Sequence, residues 1–274
     1  MQDVKDTIYS QPQQVGEFRF DQSVAEVFPD MIQRSVPGYS TIVDTIGQIC
    51  AKYSQPQSNI YDLGCSLGAV SLAASKYIQT ENCQILAIDN SSAMAQRCEL
   101  HVKAFKAATP ISVICDDIQN IDIKNASCVV MNFTLQFIPP EQRIDILHKI
   151  YAGLNSGGVL LLSEKLTHNT EQGNNLVVEL HHEFKRRNGY SELEISQKRT
   201  ALEDVMRTET FESGMLRLVL RSRATPKEAE PEGECGTRQV SIPNLVVIHT
   251  FSDAYRSVLT VLPPLHGGSS AKPI

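Results

Sequence analysis

Residues 60–68 of the chain read Ile-Tyr-Asp-Leu-Gly-Cys-Ser-Leu-Gly, and this stretch indicates the fold class. A short apolar run over residues 60–63 ends at Gly64, and small residues with helical spacing follow it. A buried strand that turns through glycine into a helix is typical of the first unit of an open α/β sheet. Ligands of such sheets bind where the first strand turns into its helix, so we expect the binding site at this turn.

Outward from this stretch, strand-like and helical patterns alternate along the chain. Continuously apolar strands separated by helices predict a parallel sheet that is covered on both faces, which is a doubly wound α/β fold. Gly157 and Gly158 are expected to end the last helix of this series. The predicted strands cover residues 60–63, 84–89, 111–116, 128–132 and 159–166, and the predicted helices cover residues 67–78, 91–105 and 139–154.

Composition excludes several classes of protein. The 274 residues carry a net charge of −6, which argues against direct binding of nucleic acid. The seven cysteines include no CxxC pair, so neither a metal site nor a disulfide framework is predicted. No apolar run approaches the roughly 18 residues that a membrane span needs, and the first residues lack the pattern of a secretory signal. We therefore expect a cytoplasmic protein that has no membrane segment.

The glycine turn itself restricts the ligand. Its pattern is D-x-G-x-x-x-G over residues 62–68, without the second early glycine that a dinucleotide prefers. One glycine allows the backbone to approach a ligand closely, and the other lets the helix pack on the strand. Together with the nearby acid, the turn at Gly64, Cys65 and Ser66 suits a nucleoside that carries a cationic amino-acid end.

Polar residues follow the next three strands at positions that fit the same ligand. Asp89 ends the second strand, near the roughly 20-residue offset at which an acid binds the ribose hydroxyls of a nucleoside. Asn90 follows it and could orient the adenosine. After the third strand, Asp117 can accept a hydrogen bond from an adenine amino group, and Ile118 can cover the ring. Asn132 ends the fourth strand, beside the glycine turn.

The glycine turn and the two acids resemble the class I S-adenosylmethionine-dependent methyltransferase fold over residues 58–166. This resemblance implies a mostly parallel, seven-stranded, Rossmann-like sheet with added N-terminal and late helices. A sharper resemblance covers residues 8–206, where four motifs look like the carboxy-S-adenosyl-L-methionine synthase family. These motifs are FRFDQSVAEVFPDMIQRSVPGY at 18–39, YDLGCSLGA at 61–69, NFTLQF at 132–137 and FKRRNGYSELEISQKR at 184–199.

The resemblance implies an activity, partners and ligand-binding residues. In this family the methyl carbon of S-adenosylmethionine takes up carbon dioxide from prephenate, which leaves as phenylpyruvate, with no metal. The product, carboxy-S-adenosyl-L-methionine, supplies a carboxymethyltransferase that modifies the wobble uridine of tRNA, and the synthase is a homodimer. Arg199 would contact the added carboxylate from the neighbouring subunit. The residues that match the family's ligand contacts are Tyr39, Gly64, Cys65, Ser66, Asp89, Asn90, Asp117, Ile118, Asn132 and Arg199.

The sequence does not identify a catalytic residue. His181 and His182 are adjacent on a helical segment, so they should face different directions, and we expect both at the surface. Prephenate is a dianion, so its binding site needs cations. Arginine is suited to this role, because a guanidinium binds a carboxylate with two parallel hydrogen bonds. The candidate cations are Arg34, Arg186, Arg187 and Arg199, of which only Arg199 is supported by the resemblance.

Two other functions share the same core motifs. One is an ordinary S-adenosylmethionine-dependent methyltransferase that acts on a small acid, and the other is an inactive S-adenosylmethionine-binding subunit. After about Met206 the sequence departs from the family, either as a divergent extension or through a reading-frame change in the source gene. We therefore divide the chain into an N-terminal helical segment (1–57), an S-adenosylmethionine-binding α/β core (58–166), a helical insertion (167–206) and a divergent C-terminal segment with possible edge strands and a flexible tail (207–274).

Overall fold

The computed structural model describes residues 4–210 and the backbone of residues 244–250 and 257–262. Its helices are α1 (Gln22–Ser35), α2 (Tyr39–Tyr53), α3 (Ala69–Tyr77), α4 (Ser92–Phe105), α5 (Pro140–Gly153), α6 (Glu171–Arg187) and α7 (Glu192–Leu202). Its strands are β1 (Asn59–Leu63), β2 (Gln84–Asp89), β3 (Ile111–Cys115), β4 (Ala126–Asn132), β5 (Leu154–Thr167), β6 (Glu209–Thr210), β7 (Asn244–Thr250) and β8 (Ser257–Leu262).

The described strands form one mostly parallel sheet. Seven of them follow the order β3-β2-β1-β4-β5-β7-β8, and the two-residue β6 pairs with β5 off this path. Six strands of the path run parallel, and only β8 pairs antiparallel with its neighbour. The strand order reverses between β1 and β4, so a crevice opens there at the carboxyl ends of the strands. The predicted doubly wound α/β fold is confirmed.

Alternate residues of the central strands pack against opposite layers of helices. In β4, Val129 and Met131 belong to one apolar cluster with Leu147 of α5. Cys128 and Val130 belong to another cluster, which includes Ile46 of α2 and residues of α3. This period of two places apolar side chains on both faces of β4, as expected for a central strand buried on both sides.

The residues before α1 are tied to the late helix α7, whereas α2 of the same N-terminal segment packs against the sheet. The backbone N–H of Phe18 donates to the carbonyl of Ala201 at 3.0 Å. The Gln197 side chain of α7 donates to the carbonyls of Tyr9 and Gln11, both at 2.9 Å. Helix α1 begins at Asp21, whose side chain accepts from the Val24 N–H at 3.0 Å and caps the helix. The N-terminal segment and α7 therefore lie together over one end of the sheet.

The predicted boundary between the last core helix and the fifth strand is wrong. Helix α5 ends at Gly153, and Gly157 and Gly158 lie inside β5 instead of ending the helix. A Cβ on Gly153 would lie 2.2 Å from the carbonyl oxygen of Ile123, so a tertiary contact requires glycine at this position. Ser91 caps α4, since its side chain accepts from the Met94 N–H at 3.2 Å.

Two further observations concern the rest of the chain. None of the helices within the described residues is long and apolar enough to cross a membrane. Strands β7 and β8 lie at the sheet edge next to β5, in the segment for which the sequence predicts edge strands. The predicted flexible tail lies outside the described residues.

Candidate functional site

A cavity of about 680 Å³ opens at the carboxyl ends of the strands, beneath α1, α6 and α7. The crevice between β1 and β4 forms its floor, and the helices outside the α/β core form its cover. The ten site residues predicted from the sequence all line this one cavity: Tyr39, Gly64, Cys65, Ser66, Asp89, Asn90, Asp117, Ile118, Asn132 and Arg199.

The glycine turn is shaped by close contacts with the loop after β4. Gly64 has a φ of +79°, and a Cβ there would lie 2.5 Å from two atoms of the Thr134 side chain. Thr134 in turn donates its hydroxyl to the carbonyl of Leu63 at 2.9 Å. Both the conformation and the space therefore require glycine at position 64. The turn brings the backbone of residues 64–66 to the cavity wall.

Asp89 is held rigidly at the end of β2. One of its carboxylate oxygens accepts from the Ser66 N–H at 2.8 Å, and the other accepts from the Ser91 N–H at 2.9 Å. Burial raises the pKa of this carboxyl, and the two backbone hydrogen bonds oppose that shift. Each oxygen of a carboxylate has a further lone pair for a ligand, so Asp89 can accept from two hydroxyl groups.

The ends of β2 and β3 are joined at the cavity. The Asn90 amide donates to the Asp117 carboxylate at 2.7 Å, which fixes both side chains beside Ile118. Across the cavity, the rings of Tyr39 and Phe133 lie 6.5 Å apart at an angle of 32°. Burial and the negative charge of Asp62 raise the pKa of the Tyr39 hydroxyl, so it remains protonated.

Two buried polar side chains at the centre of the cavity are suited to a cationic group. The Asn132 Oδ1 atom is buried and has no hydrogen-bond partner within the described residues. Asp62, at the end of β1, accepts from the hydroxyl and the N–H of Ser71, and burial raises its pKa to about 6. Both residues line the cavity and contribute acceptor oxygens there, as an ammonium group requires.

The opposite end of the cavity is cationic. Lys165 lies at the end of β5, Lys185 on α6, and Lys198 and Arg199 on α7. Arg199 is an exposed residue, whereas Lys185 and Lys198 are buried. The cavity therefore has acids at the end formed by β1, β2 and β3, and cations where α6 and α7 cover it. The contribution of a neighbouring subunit's arginine stays a prediction.

His181 and His182, which the sequence predicts at the surface, are both half-buried and line the cavity. The Nε2–H of His181 donates to the carbonyl of Ser35 at 2.8 Å, since a carbonyl can only accept. Burial and the neighbouring lysines lower the pKa of His181 to about 3, so the ring is neutral at physiological pH. The adjacent histidines both reach the cavity because α6 packs across it.

Three of the arginines proposed as cations lie elsewhere. Arg34 is buried, donating to Asp30 at 2.9 Å and to the carbonyl of Asn188 at 2.7 Å. Arg186 and Arg187 pair with acids on the outer face of α6 and α7. None of these three lines the cavity. The cavity lysines were missed, although Lys165 lies near the carboxyl end of β5, where the rule of strand ends could have identified it.

An aromatic wall closes the side of the cavity that faces the N terminus. The Phe20 ring lies 5.1 Å from that of Phe18 and 5.3 Å from that of Phe137, both edge to face. Phe28 of α1 lies 6.3 Å from Phe20 and completes the wall. These four rings give the cavity an apolar side between its acidic and its cationic ends. Within the described residues, no three metal-ligating side chains come together.

The class of protein follows from the fold and from this cavity. Residues 60–158 match the model of the methyltransferase domain family. An O-methyltransferase-like structure from Nostoc punctiforme superposes with a TM-score of 0.52 at 12% identity and covers 75% of this chain and 54% of its own. At that identity the likeness concerns the fold, which is that of the S-adenosylmethionine-dependent methyltransferases.

Sequence comparison identifies the particular family. The chain is 70% identical over 218 residues to carboxy-S-adenosyl-L-methionine synthase of Pseudoalteromonas atlantica. The matched region covers 80% of this chain and 90% of that protein. It is 59% identical to the synthase of Pseudoalteromonas translucida, over 78% of this chain and 89% of that protein. The chain belongs to the carboxy-S-adenosyl-L-methionine synthase family.

Proposed function

We propose that the protein converts S-adenosylmethionine and prephenate to carboxy-S-adenosyl-L-methionine and phenylpyruvate. Membership in the synthase family supports the product, and the cavity supports the pairing of a sulfonium nucleoside with an anionic acid. The observation that carries the proposal is the division of one cavity into an acidic and a cationic end. A positively charged sulfonium fits between them, and the cationic end suits a carboxylate added to the methyl carbon of that sulfonium.

The acidic end fits the adenosine and the amino acid of S-adenosylmethionine. Asp89 accepts from the two ribose hydroxyls, while Asp117 and Ile118 hold the adenine. The unpartnered Asn132 Oδ1 atom accepts from the ammonium of the methionine part, since a buried acceptor is stabilised by finding a donor. These assignments rest on the placement of all three strand ends around the same cavity.

The proposed reaction balances without an added base. Prephenate loses its ring carboxylate as carbon dioxide and its ring hydroxyl as hydroxide, and the ring becomes aromatic as phenylpyruvate forms. The hydroxide takes the proton that the sulfonium methyl group loses, so water is the third product. The methyl carbon then bonds the carbon dioxide before either diffuses away. The protein contributes proximity and exclusion of water, for which the aromatic wall and the helical cover are suited.

The product of one incubation distinguishes the proposed reaction from its alternatives. The purified protein is incubated with S-adenosylmethionine and prephenate, and the nucleosides are weighed by mass spectrometry. We expect a nucleoside heavier than S-adenosylmethionine by one carbon dioxide, in an amount equal to the phenylpyruvate formed. S-adenosylhomocysteine as the sole product would indicate an ordinary methyltransferase. Binding of S-adenosylmethionine without any product would indicate an inactive binding subunit.

The proposal also includes the setting of the reaction. We propose a cytoplasmic homodimer without a metal, whose product is the carboxymethyl donor for a separate tRNA-modifying enzyme, and which does not itself bind nucleic acid or membranes. Residues 58–166 would form the nucleoside-binding core, and residues 1–57 and 167–206 would cover it. Sedimentation equilibrium tests the dimer, and a monomer at micromolar concentration would contradict it.

A further inference from the structure

The cationic end of the cavity contains lysines that the assigned ligand contacts do not use. Lys165, Lys185 and Lys198 line the cavity from β5, α6 and α7. Arg199, one residue after Lys198, is the only cation of this end among the ten predicted site residues. The three lysines come from three consecutive elements of the chain, whose packing brings them to one cavity.

Lys185 is buried without a counter-charge. Its relative exposure is 8%, and its ammonium has neither a hydrogen-bond nor an ion-pair partner within the described residues. Burial, together with the charges of Lys198 and Lys165, lowers the pKa of Lys185 to about 7. A buried ammonium is unfavourable unless it is paired, so the ligand-free protein holds Lys185 at a cost in stability.

Lys165 has the same character. It is half-buried beside the cavity, and its ammonium also has no hydrogen-bond or ion-pair partner among residues 4–210. Burial lowers the pKa of Lys165, with a further contribution from Arg199. The two unpaired lysines therefore leave the cationic end with positive charge that no described residue neutralises.

Lys198 is held in place by a network behind the cavity. Its ammonium lies 3.6 Å from the Asp6 carboxylate and donates to the Ser35 hydroxyl at 3.2 Å. The Tyr190 ring lies 5.3 Å from this ammonium, and the Tyr190 hydroxyl donates to Asp6. Lys198 is thus a fixed cation, whereas Lys165 and Lys185 point to an anion that the chain does not supply.

The other titratable groups at this end do not neutralise the lysines. His181 and His182 carry pKa values lowered by burial and by the lysines, so they are largely neutral above pH 7. Glu203, after α7, is the acid of the late helices that lines the cavity. Four cations are therefore accompanied by two acids, Glu203 and the Asp6 that pairs with Lys198, and Val177 and Val178 of α6 add an apolar surface beside them.

We propose that Lys165, Lys185 and Lys198 form a carboxylate subsite that binds the dicarboxylic acid from which carbon dioxide is released. The inference rests on the proposed function, because it assigns the position of the second substrate in that reaction. An ammonium can donate up to three hydrogen bonds without a fixed plane, so three lysines can accommodate two carboxylates at different positions. The apolar surface beside them suits the substrate's six-membered ring.

The test separates binding of the acid from turnover. S-adenosylhomocysteine, which has no methyl group to react, occupies the nucleoside end while prephenate binding is measured by isothermal titration calorimetry. We expect Lys185→Met and Lys165→Met each to lower prephenate affinity by about tenfold or more, since each removes a charge-assisted hydrogen bond. Affinity for S-adenosylhomocysteine should stay within about twofold.

A matched variant controls for the loss of a lysine charge. Lys103→Met changes a lysine of α4 whose side chain is 72% exposed and lies outside the cavity, so prephenate affinity should not change. Because Lys185 is buried and unpaired, Lys185→Met should also melt at or above the temperature of the wild type. Unchanged prephenate affinity in both cavity variants, or an equal loss of affinity for S-adenosylhomocysteine, overturns the subsite.

Failure of the subsite and failure of the proposed function give different results. If the wild type makes the carboxylated nucleoside while both variants keep full prephenate affinity, the subsite is wrong and the function stands. If the wild type binds prephenate through these lysines but forms no carboxylated product, the subsite stands and the reaction is wrong. A wild type that binds no prephenate at all overturns both.

Discussion

Asp89 shows how one residue can connect the fold with the ligand. Its carboxylate accepts backbone hydrogen bonds from Ser66 in the glycine turn and from Ser91 at the start of α4. These bonds fix the carboxylate before any ligand arrives, so binding requires little further ordering of this side chain. The same two bonds close the turn, and a substitution will therefore affect both the fold and the affinity.

We predict that Asp89→Asn lowers the affinity for S-adenosylmethionine about tenfold or more. The amide replaces one acceptor oxygen with a donor, which opposes either a ribose hydroxyl or a backbone N–H, at a cost of about 1–3 kcal/mol. Calorimetric titration with S-adenosylmethionine measures the loss. Asp122→Asn, at an exposed position paired with Lys124, is the control and should bind normally. Equal affinity for Asp89→Asn and the wild type would contradict the ribose assignment.

Arg199 distinguishes the carboxylated nucleoside from its precursor. We predict that Arg199→Ala weakens binding of carboxy-S-adenosyl-L-methionine by about tenfold more than binding of S-adenosylmethionine, because only the former has the second carboxylate. Both affinities are measured by calorimetry. Arg187→Ala is a suitable control, because Arg187 pairs with Glu183 on the outer face of α6. Equal losses for the two nucleosides would remove this role from Arg199.

At the scale of elements, the loop between β4 and α5 depends on a buried carboxyl group. Glu164 of β5 accepts from the N–H groups of Leu135 and Gln136 at 2.8 and 3.1 Å. The loop in turn carries Asn132, Phe133 and Phe137 to the cavity. Burial raises the pKa of Glu164 to about 8, so the carboxyl is largely protonated at neutral pH.

We predict that Glu164 makes the stability of the wild type fall as pH rises from about 5 to about 9. The folded state raises this pKa from 4.5, so its stabilising contribution is complete below pH 4.5 and is lost as the pH passes about 8. Glu164→Gln cannot ionise and should lack this dependence. Melting temperatures at a series of pH values measure it, with about 2–4 °C expected per kcal/mol. Parallel pH profiles for the two proteins would contradict the prediction.

The elements also show what sequence patterns can and cannot predict. The meeting of Asp89, Asp117 and Asn132 at one cavity follows from topology alone. These residues lie at or just after the carboxyl ends of parallel strands, and those ends share one edge of the sheet. The need for glycine at position 153 does not follow from topology, since the space there is limited by the carbonyl of Ile123, which is distant in the sequence. Local glycine patterns therefore favoured Gly157 and Gly158 wrongly.

At the scale of the whole molecule, the sequence predicts one end of the cavity and not the other. The acidic end is formed by the core alone, so the order of strands and acids predicts it. The cationic end depends on how α6 and α7 pack across the core, and this packing also brings His181 and His182 inside. Helical periodicity alone gives no sign of which face of α6 will lie over a ligand. For this reason the sequence pattern predicted arginines as the cations for prephenate and did not identify the cavity lysines.

The distribution of charge over the molecule also predicts a pH dependence. The chain carries a net charge of −6, yet one end of its cavity collects Lys165, Lys185, Lys198 and Arg199. A dianion bound there stabilises the ammonium forms, so it raises the pKa values of Lys185 and Lys198 above their values of about 7 and about 8 in the ligand-free protein. The complex therefore binds more protons than the free protein in the range above pH 7.

We predict that prephenate binding takes up protons near pH 8 and that its affinity falls as pH rises from about 7 to about 9, by up to about tenfold per pH unit for each lysine. Below about pH 6 these lysines are charged in both states, and the lowered pKa values of His181 and His182 keep their titration out of the window above pH 7. Asp6 and Glu203 are the acids that face the cluster. Calorimetry in two buffers of different ionisation enthalpy counts the protons, with S-adenosylhomocysteine bound throughout. Lys185→Met should take up fewer protons, whereas an affinity independent of pH in the wild type would show that the lysines do not meet the anion.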